Sequence, residues 1–211
     1  MTHYPVAVIL PDTGKEFAKD TSMERVQEIA MASIADLIAP YDERIEVQEY
    51  DQQCWCKKVP NFSFMGEVTH GDKTAENKMK DEGKICPSCH GKGTYPSTYN
   101  PDSKWDWWVV GGRWNGQLRG LRLKDNPTGH DEIQSNWAFC KQLAQSLEEK
   151  RENAPMISSI VTPQGEWIEQ GRALMFGVCE DPMSDEEWEK IMVKTLKHYP
   201  DHIAIGIDCH I

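Results

Sequence analysis

No stretch of this chain stays apolar for the roughly 18 to 20 residues a membrane-spanning helix needs. Its opening, M-T-H-Y-P-V-A-V-I-L-P, lacks the basic leader and small-residue cleavage pattern of a signal peptide. The expectation is a soluble, cytoplasmic protein. Positive charge is also scarce: 23 lysines and arginines face 34 aspartates and glutamates, a net charge of −11. That balance argues against a broad basic face for duplex DNA or an anionic membrane. It suits solubility, or imitation of a nucleic acid toward a basic partner protein. There is no Walker loop, no Rossmann glycine fingerprint, no H-E-x-x-H helix and no Ser-His-Asp signature. The commonest routes to nucleotide hydrolysis, dinucleotide redox chemistry and proteolysis are therefore not written here.

What is present fits one core with a small appended module: 211 residues, 39% of them hydrophobic. Tyr4 to Leu10 is a buried-strand run stopped by P-D-T-G, and Ser22 can cap a helix whose apolar positions Val26, Ile29, Ala30, Ile34, Leu37 and Ile38 precede Pro40. Residues 45–50, I-E-V-Q-E-Y, alternate like a half-wet strand, which makes the opening unit β-α-β. Further on, a helix over 133–151, a hairpin over 157–169 with a strand at 173–178, a capped helix from Ser184 and a short apolar strand at 203–208 complete the pattern. The reading is α+β: a mixed or antiparallel sheet with helices on one face, a ferredoxin-like core being compatible with the β-α-β start and end. Residues 51–98 differ in composition and read as an inserted zinc module; 1–50 and 99–211 then form a single domain.

The strongest chemistry lies in that insert. Cys54-Trp-Cys56 and Cys86-Pro-Ser-Cys89 hold four of the seven cysteines, in two close pairs. A C-x-x-C turn points two thiolates at one ion, and two such pairs complete a tetrahedral site of the kind zinc prefers. His70 or His90 could replace a cysteine of the tighter first pair, and redox chemistry by Cys86 and Cys89 is the rival use.

Two other stretches stand out. Residues 104–116, K-W-D-W-W-V-V-G-G-R-W-N-G, carry four tryptophans. Strand alternation sends Trp105, Trp107 and Val109 to one side and Asp106, Trp108 and Val110 to the other. Gly111-Gly112 suits a hairpin turn, after which Arg113 and Trp114 return alongside. In this reading Asp106, Trp108, Arg113 and Trp114 are the ligand-binding candidates: indoles to stack a base, a guanidinium for a phosphate. The chain's last residues, G-I-D-C-H-I, place Asp208 and His210 at the exit of a central strand as candidates for proton transfer, with Cys209 as a remote nucleophile. His3 and the neighbouring pair His130-Asp131 carry less weight.

The segment C-P-S-C-H-G-K-G resembles one C-x-x-C-x-G-x-G repeat of the cysteine-rich region of DnaJ-type chaperones. That implies metal coordination by Cys86 and Cys89; no J-domain helix pair with its His-Pro-Asp accompanies it. K-W-D-W-W-x-x-G-G-R-W with the terminal D-C-H-I resembles a family of small proteins of tailed phages and some bacteria. The resemblance carries no reaction with it, and implies an accessory protein acting on host metabolism or host defence. The combined expectation is a zinc-stapled protein binding a small anionic, nucleotide-like ligand, with Asp208 and His210 moving protons if it is an enzyme. The alternative is an inhibitor of a host defence nuclease, of anti-CRISPR type, acting on that host protein through its acidic surface.

Overall fold

A computed structural model of the chain describes residues 2–13, 23–58, 85–118, 136–150, 154–173, 179–180 and 182–211. They fall into two compact units, one of Met1–Arg44 with Asp102–Ile211 and one of Ile45–Pro101. In chain order the elements are β1 (His3–Thr13), α1 (Met23–Ile38), β2 (Tyr50–Gln53), α2 (Trp55–Lys58), β3 (Thr94–Ser97), β4 (Trp107–Val110), β5 (Trp137–Phe139), α3 (Cys140–Glu148), β6 (Ser159–Val161), β7 (Trp167–Glu169), β8 (Arg172–Ala173), β9 (Cys179–Glu180), α4 (Asp185–His198) and β10 (His202–His210). No helix among the described residues is long and apolar enough to cross a membrane.

The larger unit is α+β, built on a mixed six-stranded sheet of order β4-β10-β1-β6-β7, with β5 also paired to β10. β1 and β10 run antiparallel down the middle, while β1 and β6 are parallel. Tyr4 to Leu10 is buried at every position. A strand with no polar alternation is covered on both faces, and the packing bears this out. Tyr4, Val6, Val8 and Leu10 meet Ala30, Ile34 and Ile38 of α1. Ala7 and Ile9 face the other way, toward Leu143 and Leu147 of α3 and Trp188, Met192 and Leu196 of α4. The helices therefore flank both faces of the sheet, not one as the sequence suggested, and neither this layering nor the strand order is ferredoxin-like.

Ser184 caps α4 by accepting the Glu187 N–H, and Glu187 reaches back to the Ser184 N–H, the reciprocal box that S-D-E-E announces. The 157–169 hairpin forms as β6 and β7. Three expectations change. Residues 45–49 are not strand, and Tyr50–Gln53 pairs with Thr94–Ser97 inside the smaller unit, so the opening β-α-β is not formed. Gly111-Gly112 leads into a short 3-10 turn over Gly112–Trp114 instead of a hairpin. The helix expected at 133–151 begins only at Cys140, after strand β5 has paired with β10. Residues 174–178 of the strand expected there, Ser22, His70 and the pair His130-Asp131 lie outside the described residues.

Candidate functional site

At one end of the large sheet, strand register assembles a cluster from three separate segments. β10 sits between β1 and β4, so His3, His210 and Trp107 stand opposite one another in a row. One pleat further in, Pro5, Asp208 and Val109 form the next row. All six point to the face that α3 and α4 cover further along, since residues paired across a ladder share a face and Ala7 belongs to the α3/α4 layer.

Two imidazole–carboxylate pairs result. His3 Nδ1 lies 3.1 Å from both carboxylate oxygens of Asp208, its diagonal neighbour on β10. His210 Nδ1 lies 2.6 Å from Asp106 Oδ1, and the Asp106 N–H donates to the His210 carbonyl at 2.9 Å. An ionised carboxylate only accepts, so each Nδ1 carries the proton and each Nε2 is left for other chemistry. Asp208 is 1% exposed. Burying that carboxylate is tolerated because a second donor, the Arg113 N–H, reaches Oδ2 at 3.0 Å.

Gly112 makes this last contact possible. Its φ is +51°, and a Cβ there would sit 2.5 Å from the Asp208 carboxylate. The Gly-Gly pair thus serves close backbone approach and left-handed geometry, not a hairpin.

The indole of Trp107 completes the cluster. It stacks on His210 at 5.2 Å between centroids, with His3 edge-on to both rings at 5.3 and 5.0 Å. Trp107 remains 42% exposed. Trp108, paired with Cys209, faces the opposite side and packs against the α1 layer. Trp105 is buried in that same layer and donates from Nε1 to the Ile38 carbonyl at 3.0 Å. The aromatic contact expected of Trp108 therefore falls to Trp107, because Asp106 precedes the strand and the alternation counted from Trp105 does not run through it. Arg113 contributes its backbone here while its side chain is exposed, and Trp114 is half-buried in the same turn. Cys209 is fully buried on the α1 side, where burial and then the Asp208 charge push its thiol well up. It is no nucleophile for this cluster.

Of the residues singled out from sequence, Asp106, Asp208 and His210 come together. They are joined by His3, which carries less weight in the sequence, and by Trp107, which the sequence assigns to the opposite face from Asp106. A strand whose even positions are all apolar must turn His3 the other way, but only the β1–β10 register shows that it lands on Asp208.

The unit of residues 45–101 carries a second cluster. The β2–β3 ladder ends at Gln53 and Thr94, and the Cys54 N–H donates to the Gly93 carbonyl at 2.9 Å. This sets the Cys54–Cys56 turn against the Cys86–Cys89 turn. The four Sγ atoms lie within 4.8 Å of one another, all buried, an arrangement that could hold a metal ion. Cys54 and Cys86 are 3.6 Å apart and Cys56 and Cys89 3.7 Å. A tetrahedron of thiolates with metal–sulfur bonds of about 2.3 Å has edges of about 3.8 Å, so the sulfurs stand at ligand spacing. They are free thiols. Burial pushes Cys54 and Cys56 up, the nearby thiols adding to this at Cys56. At Cys86 burial also acts upward, but the N–H groups of Cys89 and Ser88 and the neighbouring thiols outweigh it and bring the thiol down to about 7. His90 is exposed, with a positive φ of 49°, and the four sulfurs need no imidazole in their place. Gly93, at φ +83°, lies under the Lys57 side chain, whose Cε would be 2.0 Å from any Cβ there.

No family model, curated protein or solved structure matches the chain.

Proposed function

We propose that this is a zinc-stapled protein that binds a small anionic, nucleotide-like ligand at the His3–Trp107–His210 end of its sheet. The observation that carries the reading is the pairing of two carboxylate-anchored imidazoles with a partly exposed indole. An indole offers stacking area for a base at low entropic cost, and a guanidinium on the adjoining turn offers a planar fork to a phosphate. Anchored imidazoles supply hydrogen bonds from Nε2 to phosphate oxygens and can move protons there. In the smaller unit, four buried thiols at tetrahedral spacing favour zinc, the usual ion of closed four-cysteine sites. The metal's part is to hold the fold, since no ligand position is left open. In keeping with the resemblance of its tryptophan segment and terminal D-C-H-I, the protein would act as a phage-type accessory to host metabolism or defence.

The test is thermal unfolding of the metal-replete protein against a panel of nucleoside mono-, di- and triphosphates and dinucleotides. At least one should raise the melting temperature. Arg113→Ala and Trp107→Ala should each remove that shift while the ligand-free melting temperature stays within a few degrees. A flat response across the panel would overturn the reading.

A further inference from the structure

The two anchored imidazoles sit side by side, with ring centroids 5.0 Å apart. Each has its own carboxylate: Asp208 for His3 and Asp106 for His210. One histidine fixed in this way can be a structural hydrogen bond. Two, on adjacent strands and each leaving Nε2 uncommitted to its carboxylate, are the parts of a reaction in which one group takes a proton while another gives one. Among the described residues, the cluster His3, Asp106, Trp107, Arg113, Asp208 and His210 contains no serine, threonine or cysteine, so the attacking group is assigned to the substrate or to water. It is also a poor metal site, because both carboxylates are engaged by imidazole Nδ1 atoms and only two ligand nitrogens remain.

We infer that His3 and His210 form a proton-transfer pair acting on a ribonucleotide phosphodiester. The inference rests on the nucleotide reading above and names the substrate class. A ribonucleotide linkage carries its own nucleophile, the 2′-hydroxyl, which suits a site that provides none. One neutral imidazole accepts the 2′-hydroxyl proton at Nε2 as the 2′-oxygen bonds to phosphorus. The bond from phosphorus to the 5′-oxygen breaks, and that oxygen takes a proton from Nε2 of the other, protonated imidazole. The products are a 2′,3′-cyclic phosphate and a free 5′-hydroxyl; proton exchange with solvent resets the pair. Asp106 and Asp208 are positioning residues that hold each ring and stabilise its charged form. The imidazolium and its carboxylate carry no net charge, the neutral imidazole and its carboxylate carry one negative charge, and the exposed Arg113 guanidinium offsets that charge toward an anionic substrate.

The experiment uses the metal-replete full chain with the sixteen ribodinucleoside monophosphates and their 2′-deoxy counterparts. Binding is followed by thermal shift and products by chromatography. At least one ribodinucleotide should yield a 2′,3′-cyclic nucleotide, while the matching deoxy compound binds and stays intact. His3→Ala and His210→Ala should each slow cleavage by about 10²- to 10⁴-fold, with partial rescue by added imidazole. His3→Gln and His210→Gln, which preserve more of the packing, should be as slow. Asp106→Asn should shift the pH–rate profile. Binding of the deoxy compounds without cleavage of any ribo compound overturns the inference and leaves the nucleotide reading standing. Failure of both sets to bind overturns the inference, and overturns the nucleotide reading as well only if the mono-, di- and triphosphates of the earlier panel also give no shift. Cleavage at the wild-type rate by folded His3→Gln or His210→Gln removes the proton-transfer pair.

Discussion

The two units are held together by different means. In residues 45–101 the buried cluster among the described residues is four cysteines with Tyr95 packed against them. In residues 1–44 and 102–211, two apolar layers cover the two faces of one sheet. A unit of about 60 residues is marginal on apolar burial alone, and among the described residues of this one the buried cluster is the four cysteines. On the proposal above, an ion held by the four sulfurs would supply the missing order. The larger unit is stabilised by its layers, and its ionisable cluster sits at one end of the same sheet, with Asp208 and His210 buried and Trp107 partly exposed. The first site joins two short local turns through one small ladder, and the second is made by the register of strands from opposite ends of the chain.

Removing the sulfurs should give the largest effect and should split the molecule along this line. Structural zinc sites contribute about 10–16 kcal/mol of apparent binding free energy in small peptides. Cys86→Ser combined with Cys89→Ser should therefore unfold residues 45–101 and leave the large sheet standing. Hydrogen exchange is the measurement: amides of β2 and β3 should lose protection while those of β1 and β10 keep it. Thiolates bind the metal and thiols do not, so acidification should mimic the double substitution, releasing metal as the sulfurs take up protons. Simultaneous loss of protection in both units would mean that the metal supports the sheet as well, and the contrast would fail.

Gly112→Ala tests the other side. A residue with φ +51° other than glycine costs about 1–2 kcal/mol, and the new methyl would press on a buried carboxylate. The expected result is a modest fall in melting temperature with loss of the bond from the Arg113 N–H to Asp208. Freed from that restraint, Asp208 no longer fixes His3, and the nucleotide-induced shift should disappear. Metal content, measured on the same sample, should not change. A variant that keeps the full ligand response would show that the Arg113–Asp208 bond is dispensable to the site.

This contrast also decides what the sequence made legible. The cysteine cluster could be read because C-x-C and C-x-x-C are local geometry, and two close pairs of thiols suit a single four-ligand site. Strands β1 and β10 were equally clear, their unbroken apolar runs marking β1 as buried and β10 as central. The assignment of helices to one face failed on the same observation carried a step further. A sheet whose middle strands are apolar on both sides needs cover on both, as Ile34 on one face and Leu143 on the other show. The alternation expected from Trp107 to Val110 holds, but Trp105 and Asp106 lie before the strand and fall on the faces opposite to those assigned, so Asp106 joins Trp107 and not Trp108. His3 and Asp208 are 205 positions apart in sequence. Nothing local announces their contact, and it follows only from the pairing of the first strand with the last.

The smallest expected effect concerns a feature that is local throughout, the box that starts α4. Ser184→Ala removes the acceptor for the Glu187 N–H and the hydroxyl that donates to the Glu187 carboxylate at 2.9 Å. Loss of such a cap costs about 1 kcal/mol, or about 2–4 °C in melting temperature for a chain of this size. The pH dependence has a definite sign. Hydrogen bonds from the Ser184 side chain and backbone hold Glu187 below the ordinary glutamate range. Its folded-state value is thus depressed, so the stabilisation is complete above the unfolded value and is lost as pH falls through the folded one. The difference between Ser184→Ala and the parent protein should be widest near neutrality and should narrow in acid, where the hydroxyl's bond to the ionised carboxylate is gone in both. Calorimetry at neutral and acidic pH measures this directly. A gap that stays constant would assign the whole effect to the bond from the Glu187 N–H, which does not titrate.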